Sequence, residues 1–215
     1  MKRTLALSIM VLTMVILEAC SPRIYQSDSF DAALSRHKTV AILPAAVSIS
    51  LRPNQLKKMT PEQMTEMSLR EARDIQEKMY GWFLRRQDRF QYTVKFQDVT
   101  RTNSLLHSAG LNYADQDTYD RGKLAEILGV DAVIQVKAKM DKPMSEGAAV
   151  ALGLLFGAWG ATNRVETEIN IHDGRTSDLL WKYNWVASGS VGSSTTQLVD
   201  ALMRNAARKF PYNAR

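Results

Sequence analysis

Three histidines, His37, His107 and His172, and one cysteine, Cys20, are the side chains best suited to metal ligation or nucleophilic work. None of the histidines has a second ligand type at the spacing a zinc site needs, and a single thiol cannot complete a set. Serines are numerous, but no Gly-x-Ser-x-Gly elbow presents one as a nucleophile. Asp115, Asp117 and Asp120 fall close together, yet the glycine and distal glutamate of a calcium loop are missing, so they read as the solvated approach to a helix. No Gly-x-x-x-x-Gly-Lys loop is present to cradle a phosphate. These patterns point away from an enzyme, and they call for no metal and no cofactor.

The surroundings of Cys20 are more telling. Lys2 and Arg3 precede an apolar run from Leu5 to Leu17, and Leu17-Glu18-Ala19-Cys20-Ser21 closes it. A charged start, a short apolar core and a small residue before a cut site describe a secretory signal peptide over residues 1–19. The apolar stretch is too short to span a bilayer, which takes about 20 residues. The closing quartet resembles the lipobox of bacterial lipoproteins, with Glu18 at a position that is usually small or apolar. That resemblance implies cleavage before Cys20 and lipidation of its sulfur. Ser21, where an inner-membrane lipoprotein would carry Asp, implies an outer-membrane destination facing the periplasm. Acyl chains, at about 0.8 kcal/mol per buried CH₂, would make the anchor permanent.

Removal of residues 1–19 takes with it Lys2, Arg3 and Glu18, which lowers the net charge from +6 to +5. Basic charge this modest and this dispersed forms no stripe for nucleic acid. Without a second cysteine there is no intrachain disulfide, and stability must come from packing.

Behind the leader, residues 20–37 are polar and without sustained periodicity, which predicts a lipidated tether. Residues 38–215 then read as a single α/β domain. Thr39 to Val47 is a continuous apolar run broken by Pro44, the pattern of a strand covered on both faces. Thr60-Pro61-Glu62-Gln63 carries a capping threonine, a proline at the first helical position and glutamine three residues after the cap. The helix it opens places Met64, Met67, Ala72, Ile75, Met79, Trp82 and Phe83 on one face. Tyr92, Val94 and Phe96 alternate with polar neighbours as a half-buried strand, and a polar region follows. Tyr119 to Leu128 reads as a helix stopped by Gly129, and Val130 to Val136 as the next strand. Val165 to Ile171 and Trp181 to Ala187 alternate around Asp173-Gly174 as an antiparallel hairpin. Leu198, Val199, Leu202, Ala206 and Phe210 mark a closing helix. The order is β-α-β-α-β, then hairpin, then helix: a three-layer, mixed α/β sheet.

Val40-Ala41-Ile42-Leu43-Pro44, Leu128-Gly129-Val130-Asp131-Ala132-Val133-Ile134 and the hairpin with Asp173-Gly174 resemble lipoproteins carrying a curli-secretion-channel-like (CsgG-like) or TolB-amino-terminal-like domain. The resemblance implies envelope assembly, secretion or partner binding, without catalysis.

From Gly147 to Ala161 the chain runs fifteen residues without a polar side chain. Ala149, Gly153, Gly157 and Ala161 recur every fourth residue, as where helices pack closely in membranes. Leu152, Leu155, Phe156 and Trp159 fill the rest. As a helix the run spans about 22 Å at 1.5 Å per residue, short of the roughly 30 Å hydrocarbon core. Three readings stay open: a buried filler at the sheet's edge, a membrane-contacting or self-associating element, and a partner-binding surface. Gly153, Phe156, Gly157 and Trp159 are the contact residues that the second and third require. The run does not alternate as the transmembrane hairpins of a pore do. The sequence thus favours a periplasm-facing lipoprotein, an accessory or assembly component of an envelope machine, held to the membrane by its lipid and joined to an envelope protein or to its own copies. An oligomeric secretion-channel subunit is the alternative.

Overall fold

The computed structural model describes residues 23–51, 53–112, 118–141, 164–188 and 194–214. The chain enters it as strand β1 (Arg23–Gln26), and helix α1 (Phe30–Leu34) follows at once. β1 pairs antiparallel with a strand from far down the chain, Ile24 opposite Tyr183. Phe30 and Ala33 of α1 sink into the core, and His37 is buried behind them. The tether expected over residues 20–37 is therefore corrected from Arg23 onward, where the chain is already part of the domain. Polar composition hid this because all four β1 side chains are exposed and α1 offers only two core residues, too few for a periodic signal.

Strand β2 (Thr39–Ile42) lies inside the sheet, flanked by strands on both sides, with Val40, Ala41 and Ile42 fully buried, as a strand covered on both faces requires. Pro44 interrupts the run, and β3 (Ala46–Ser50) resumes along the same neighbour. Helix α2 (Pro53–Leu56) is a single turn leading to α3 (Pro61–Arg85). The Thr60 hydroxyl accepts from the Gln63 amide at 3.3 Å while the Gln63 side chain accepts from the Thr60 amide at 2.9 Å. Two otherwise orphaned donors are thus satisfied, and the helix start is fixed. Met67, Ala72, Ile75, Met79, Trp82 and Phe83 form its buried stripe, with Met64 half-buried at the first turn.

After the short α4 (Gln87–Phe90), strand β4 (Lys95–Phe96) pairs parallel to β2 over only two residues. The following region, polar in sequence, contains helix α5 (Val99–Ser108), capped by the Asp98 carboxylate on the amides of Thr100 and Arg101 at 2.9 and 3.2 Å. Only Val99, Thr102 and Leu106 of α5 are buried, which leaves too thin an apolar stripe to announce a helix. Helix α6 (Arg121–Leu128) ends at Gly129 in the left-handed conformation (φ 65°), the residue that adopts it without steric cost.

Strand β5 (Ala132–Asp141) is the spine of the sheet. One side of it carries β2 and then β3, both parallel, and the other carries β6 (Arg164–Asp173), antiparallel from Ala132 opposite Asp173 to Asp141 opposite Arg164. β7 (Leu179–Ser188) returns beside β6 with Ile171 opposite Trp181, and a register shift falls between Ile171 and His172. The strand order is β1-β7-β6-β5-β2-β4, with β3 beside β5. Helix α7 (Thr195–Ala206) and a 3₁₀ turn at Ala207–Lys209 close the chain.

α3 and α7 cover one face over the larger core, in which Phe83 stacks on Phe96 with ring centroids 4.2 Å apart and Phe210 packs edge-on to Trp181. α5 and α6 cover part of the other face over Ala41, Leu43, Leu106, Leu124, Leu128 and Val133. This is the three-layer mixed α/β arrangement read from the sequence.

Candidate functional site

The most concentrated polar chemistry among the described residues lies where the β6–β7 turn meets both ends of the domain. His37, immediately before β2, places Nδ1 2.8 Å from the Tyr212 hydroxyl and Nε2 3.4 Å from Asp173 Oδ2. A carboxylate only accepts, so Nε2 carries the proton toward Asp173 and Nδ1 accepts from the Tyr212 O–H. Asp173 Oδ1 accepts from the amides of Arg175 and Thr176 at 2.7 and 3.1 Å, and Arg36 reaches Oδ2 at 3.3 Å from the solvent side. Beside it, the Asp131 carboxylate accepts from the amides of Lys38 and Thr39, both at 2.8 Å, and the Asp131 carbonyl accepts from Gly174 at 2.8 Å.

Burial disfavours the imidazolium and holds His37 below its ordinary value, although Asp173 pulls the other way. Burial also opposes ionisation of Asp173, but the Arg175 and Thr176 amides and the His37 ring outweigh it and keep the carboxylate below its usual range. Burial, reinforced by Asp173 and Asp131, drives the Tyr212 phenol far upward. An Asp–His–Tyr chain of this kind could relay a proton. His37, Asp173 and Tyr212 are all under 5% exposed, however, so no substrate atom reaches them. What the cluster does is tie the segment before β2, the hairpin turn and the C-terminal segment together.

The second feature is the part of the sheet that α5 and α6 do not cover, which is only partly open: Gln135 and Asn170 on it are buried. Register places Lys137 beside Glu168 and Asn184, and Gln135 beside Asn170 and Lys182, all on this face. Lys182 Nζ lies 2.5 Å from Glu168 Oε2, and Asn170 donates to Glu168 Oε1 at 2.6 Å. Glu168 is half-buried, which works against its charge, but these two donors hold it below the ordinary carboxylate range. Arg164 pairs with Glu166 at 2.9 Å. At the β1 edge Tyr25 and, on β7, Val186 are exposed on this side and Ile24 on the other; Leu56 and Leu84 are the further large apolar side chains in solvent among the described residues. Paired charges bordered by exposed apolar groups suit contact with another surface better than chemistry on a small molecule.

Cys20 and the candidate contact residues Gly153, Phe156, Gly157 and Trp159 lie outside the described residues, as do Asp115 and Asp117. The apolar run joins Asp141 to Arg164, the register partners at one end of β5 and β6. Of the three histidines, His37 is the one whose surroundings overturn its reading, since it sits in a buried cluster and not in a tether. Its partners stand 136 and 175 positions away, and no local pattern pairs them. His107 lies in the last turn of α5, and His172 is half-buried with Nδ1 3.2 Å from the Ser177 carbonyl. Among the described residues no group of three or more His, Cys, Asp or Glu side chains is placed to hold a metal ion. No described helix is long and apolar enough to cross a membrane.

No protein-family model matches the chain, and no curated protein matches it either. Several solved structures are distantly similar. Lipoprotein GNA1162 from Neisseria meningitidis is 13% identical, with 80% of this chain and 94% of that one covered and a TM-score of 0.40. The LpoB C-terminal domain from Salmonella enterica is 12% identical, with 74% and 95% covered and a TM-score of 0.35. The PelC dodecamer from Paraburkholderia phytofirmans is 11% identical per chain, with 90% and 99% covered and a TM-score of 0.41. At these scores no residue's role passes from any of them to this chain.

Proposed function

We propose that this chain is a lipid-anchored outer-membrane lipoprotein facing the periplasm, and that it serves as an accessory or assembly component of an envelope machine by binding protein and not by catalysis. The observation that carries the reading is Leu17-Glu18-Ala19-Cys20 at the end of a charged and then apolar leader. Two further features support it. Among the described residues, the one cluster resembling a catalytic relay, at His37, Asp173 and Tyr212, is closed to substrate. The partly open sheet face offers the Lys182–Glu168 charge pair to a partner. Gly153, Phe156, Gly157 and Trp159 are the proposed contact residues of the apolar run.

The test is expression of the full chain in a Gram-negative host with a clickable palmitate analogue. The wild type should take up label and fractionate with outer membranes, whereas Cys20→Ser should give an unlabelled precursor or soluble species. Unchanged mass and unchanged membrane fractionation of Cys20→Ser overturn the reading. For the apolar run, Gly153→Leu with Gly157→Leu should reduce crosslinking to other envelope proteins or to other copies at an unchanged melting temperature. Lowered stability with unchanged crosslinking would return the run to the core.

A further inference from the structure

We infer that the β1 edge of the sheet rests on the lipid headgroups of the membrane that holds the anchor, with Ile24, Tyr25 and Val186 as its contact residues. This rests on the reading that Cys20 carries the lipid. Ser21 and Pro22 alone separate Cys20 from Arg23, the first residue of β1. Three residue steps reach at most about 11 Å at 3.3 to 3.6 Å each. A tether of seventeen residues would have let the domain stand away from the bilayer in any orientation. A link of two residues does not, and what lies within its reach is the β1 edge.

The residues at that edge suit a headgroup layer. Successive side chains of a strand point to opposite faces, so Ile24 shares the core side with Tyr183 while Tyr25 shares the open side with Lys182. Only an edge-on approach lets both contact one surface. Ile24, Tyr25 and Val186 are 40%, 50% and 56% exposed. Tyrosine, with an apolar ring and a polar tip, favours the boundary between headgroups and acyl chains. The outer N–H and C=O groups of β1 stay solvated there, which the hydrocarbon core would not allow. Arg23 adds an exposed cation that offsets the exposed Asp28 just past β1, and the carboxylates of Glu166 and Glu168 are paired with Arg164 and Lys182. A permanent anchor makes this contact effectively intramolecular, so weak individual contributions suffice. The opposite edge, β4, is five strand spacings away, about 24 Å at 4.8 Å each, and faces the periplasm.

The experiment uses the full chain, purified with its lipid and reconstituted into phosphatidylethanolamine–phosphatidylglycerol vesicles containing doxyl-labelled lipid. A lipidated Cys20 leaves no free thiol, so Tyr25→Cys, Val186→Cys and Lys95→Cys each offer one site for an environment-sensitive fluorophore. All three positions are exposed, and melting temperature checks each fold. Bilayer quencher should dim labels at 25 and 186 several-fold more than the label at 95, on β4. Equal quenching at the three positions, or none at 25 and 186 in protein that floats with the vesicles, overturns the proposal. Disulfide-linked dimers of Tyr25→Cys, without quenching there, overturn it in favour of a second copy at this edge. Protein that carries a second reactive thiol and fails to float refutes the lipid anchor itself, a failure thus told apart from a wrong orientation.

Discussion

His37 Nδ1 and the Tyr212 hydroxyl meet at 2.8 Å across 175 positions of sequence, and the bond joins the segment that leads into β2 to the last residues of the domain. His37 is buried, so its Nδ1 has no water to turn to when the Tyr212 hydroxyl is lost. Removing one member of such a pair costs the desolvation of the other, about 1 to 3 kcal/mol. Tyr212→Phe should therefore lower unfolding free energy in urea by that amount while leaving far-UV circular dichroism unchanged. An unaltered midpoint would mean that the bond is not made.

The same cluster sets a pH dependence. His37 is held below its ordinary value of 6.5 in the folded chain, so the unfolded chain binds the proton more readily. Stability then rises with pH wherever the unfolded state holds more protons. His37 thus contributes fully above about 6.5, and its contribution is lost as pH falls from there toward the lowered folded value. His172 is shifted in the same direction, again by burial first, and adds to the slope. The melting temperature of the wild type should fall on acidification through this window. His37→Asn, less stable throughout, should show a shallower fall. Parallel curves would remove His37 from the account.

How much of this could be read in advance depends on how local each signal is. The Thr60–Gln63 capping box, the α3 stripe, the β6 and β7 alternation and the Gly129 stop are each complete within a few turns of chain, and each stands where the pattern puts it. β1 and α1 were invisible because four exposed residues and a five-residue helix bury almost nothing by themselves. What makes them ordered is β7, more than 140 residues downstream, and a core drawn from the whole chain. The His37 cluster was invisible for the same reason, as its three members come from three distant segments. α5 was lost to its polar surface, and its order depends on Asp98 at its start and Leu106 against the second core.

Trp181 and Lys182 test the hairpin's two faces. Trp181 is buried opposite Ile171, with its ring stacked on Tyr183 at 5.8 Å, whereas Lys182 lies on the open face and pairs with Glu168. Truncating a buried aromatic costs about 3 to 5 kcal/mol, and a partly exposed ion pair contributes about 1 kcal/mol or less. Trp181→Ala should sharply lower the thermal midpoint, and Lys182→Ala should shift it only slightly. Comparable losses from the two would reverse the assignment of faces.

Two glycines should respond to alanine with opposite signs. A Cβ on Gly174 would lie 2.7 Å from the Asp131 carbonyl oxygen and 2.8 Å from the Ala125 Cβ, and neither can swing aside because one is backbone and the other sits on α6. Asp131 would have to move, and with it the carboxylate that holds the amides of Lys38 and Thr39 at the start of β2. Bulk forced into such a site typically costs about 1 to 3 kcal/mol, or a few degrees of melting temperature per kcal/mol in a domain of this size. Gly81, inside α3, would meet only the end of the flexible Arg85 side chain at 3.2 Å. Alanine there gains helix propensity, worth up to about 1 kcal/mol. Differential scanning calorimetry should find Gly174→Ala melting lower than the wild type and Gly81→Ala melting at or above it. A Gly174→Ala chain as stable as the wild type would show that the turn does not press against Asp131 as closely as these distances require.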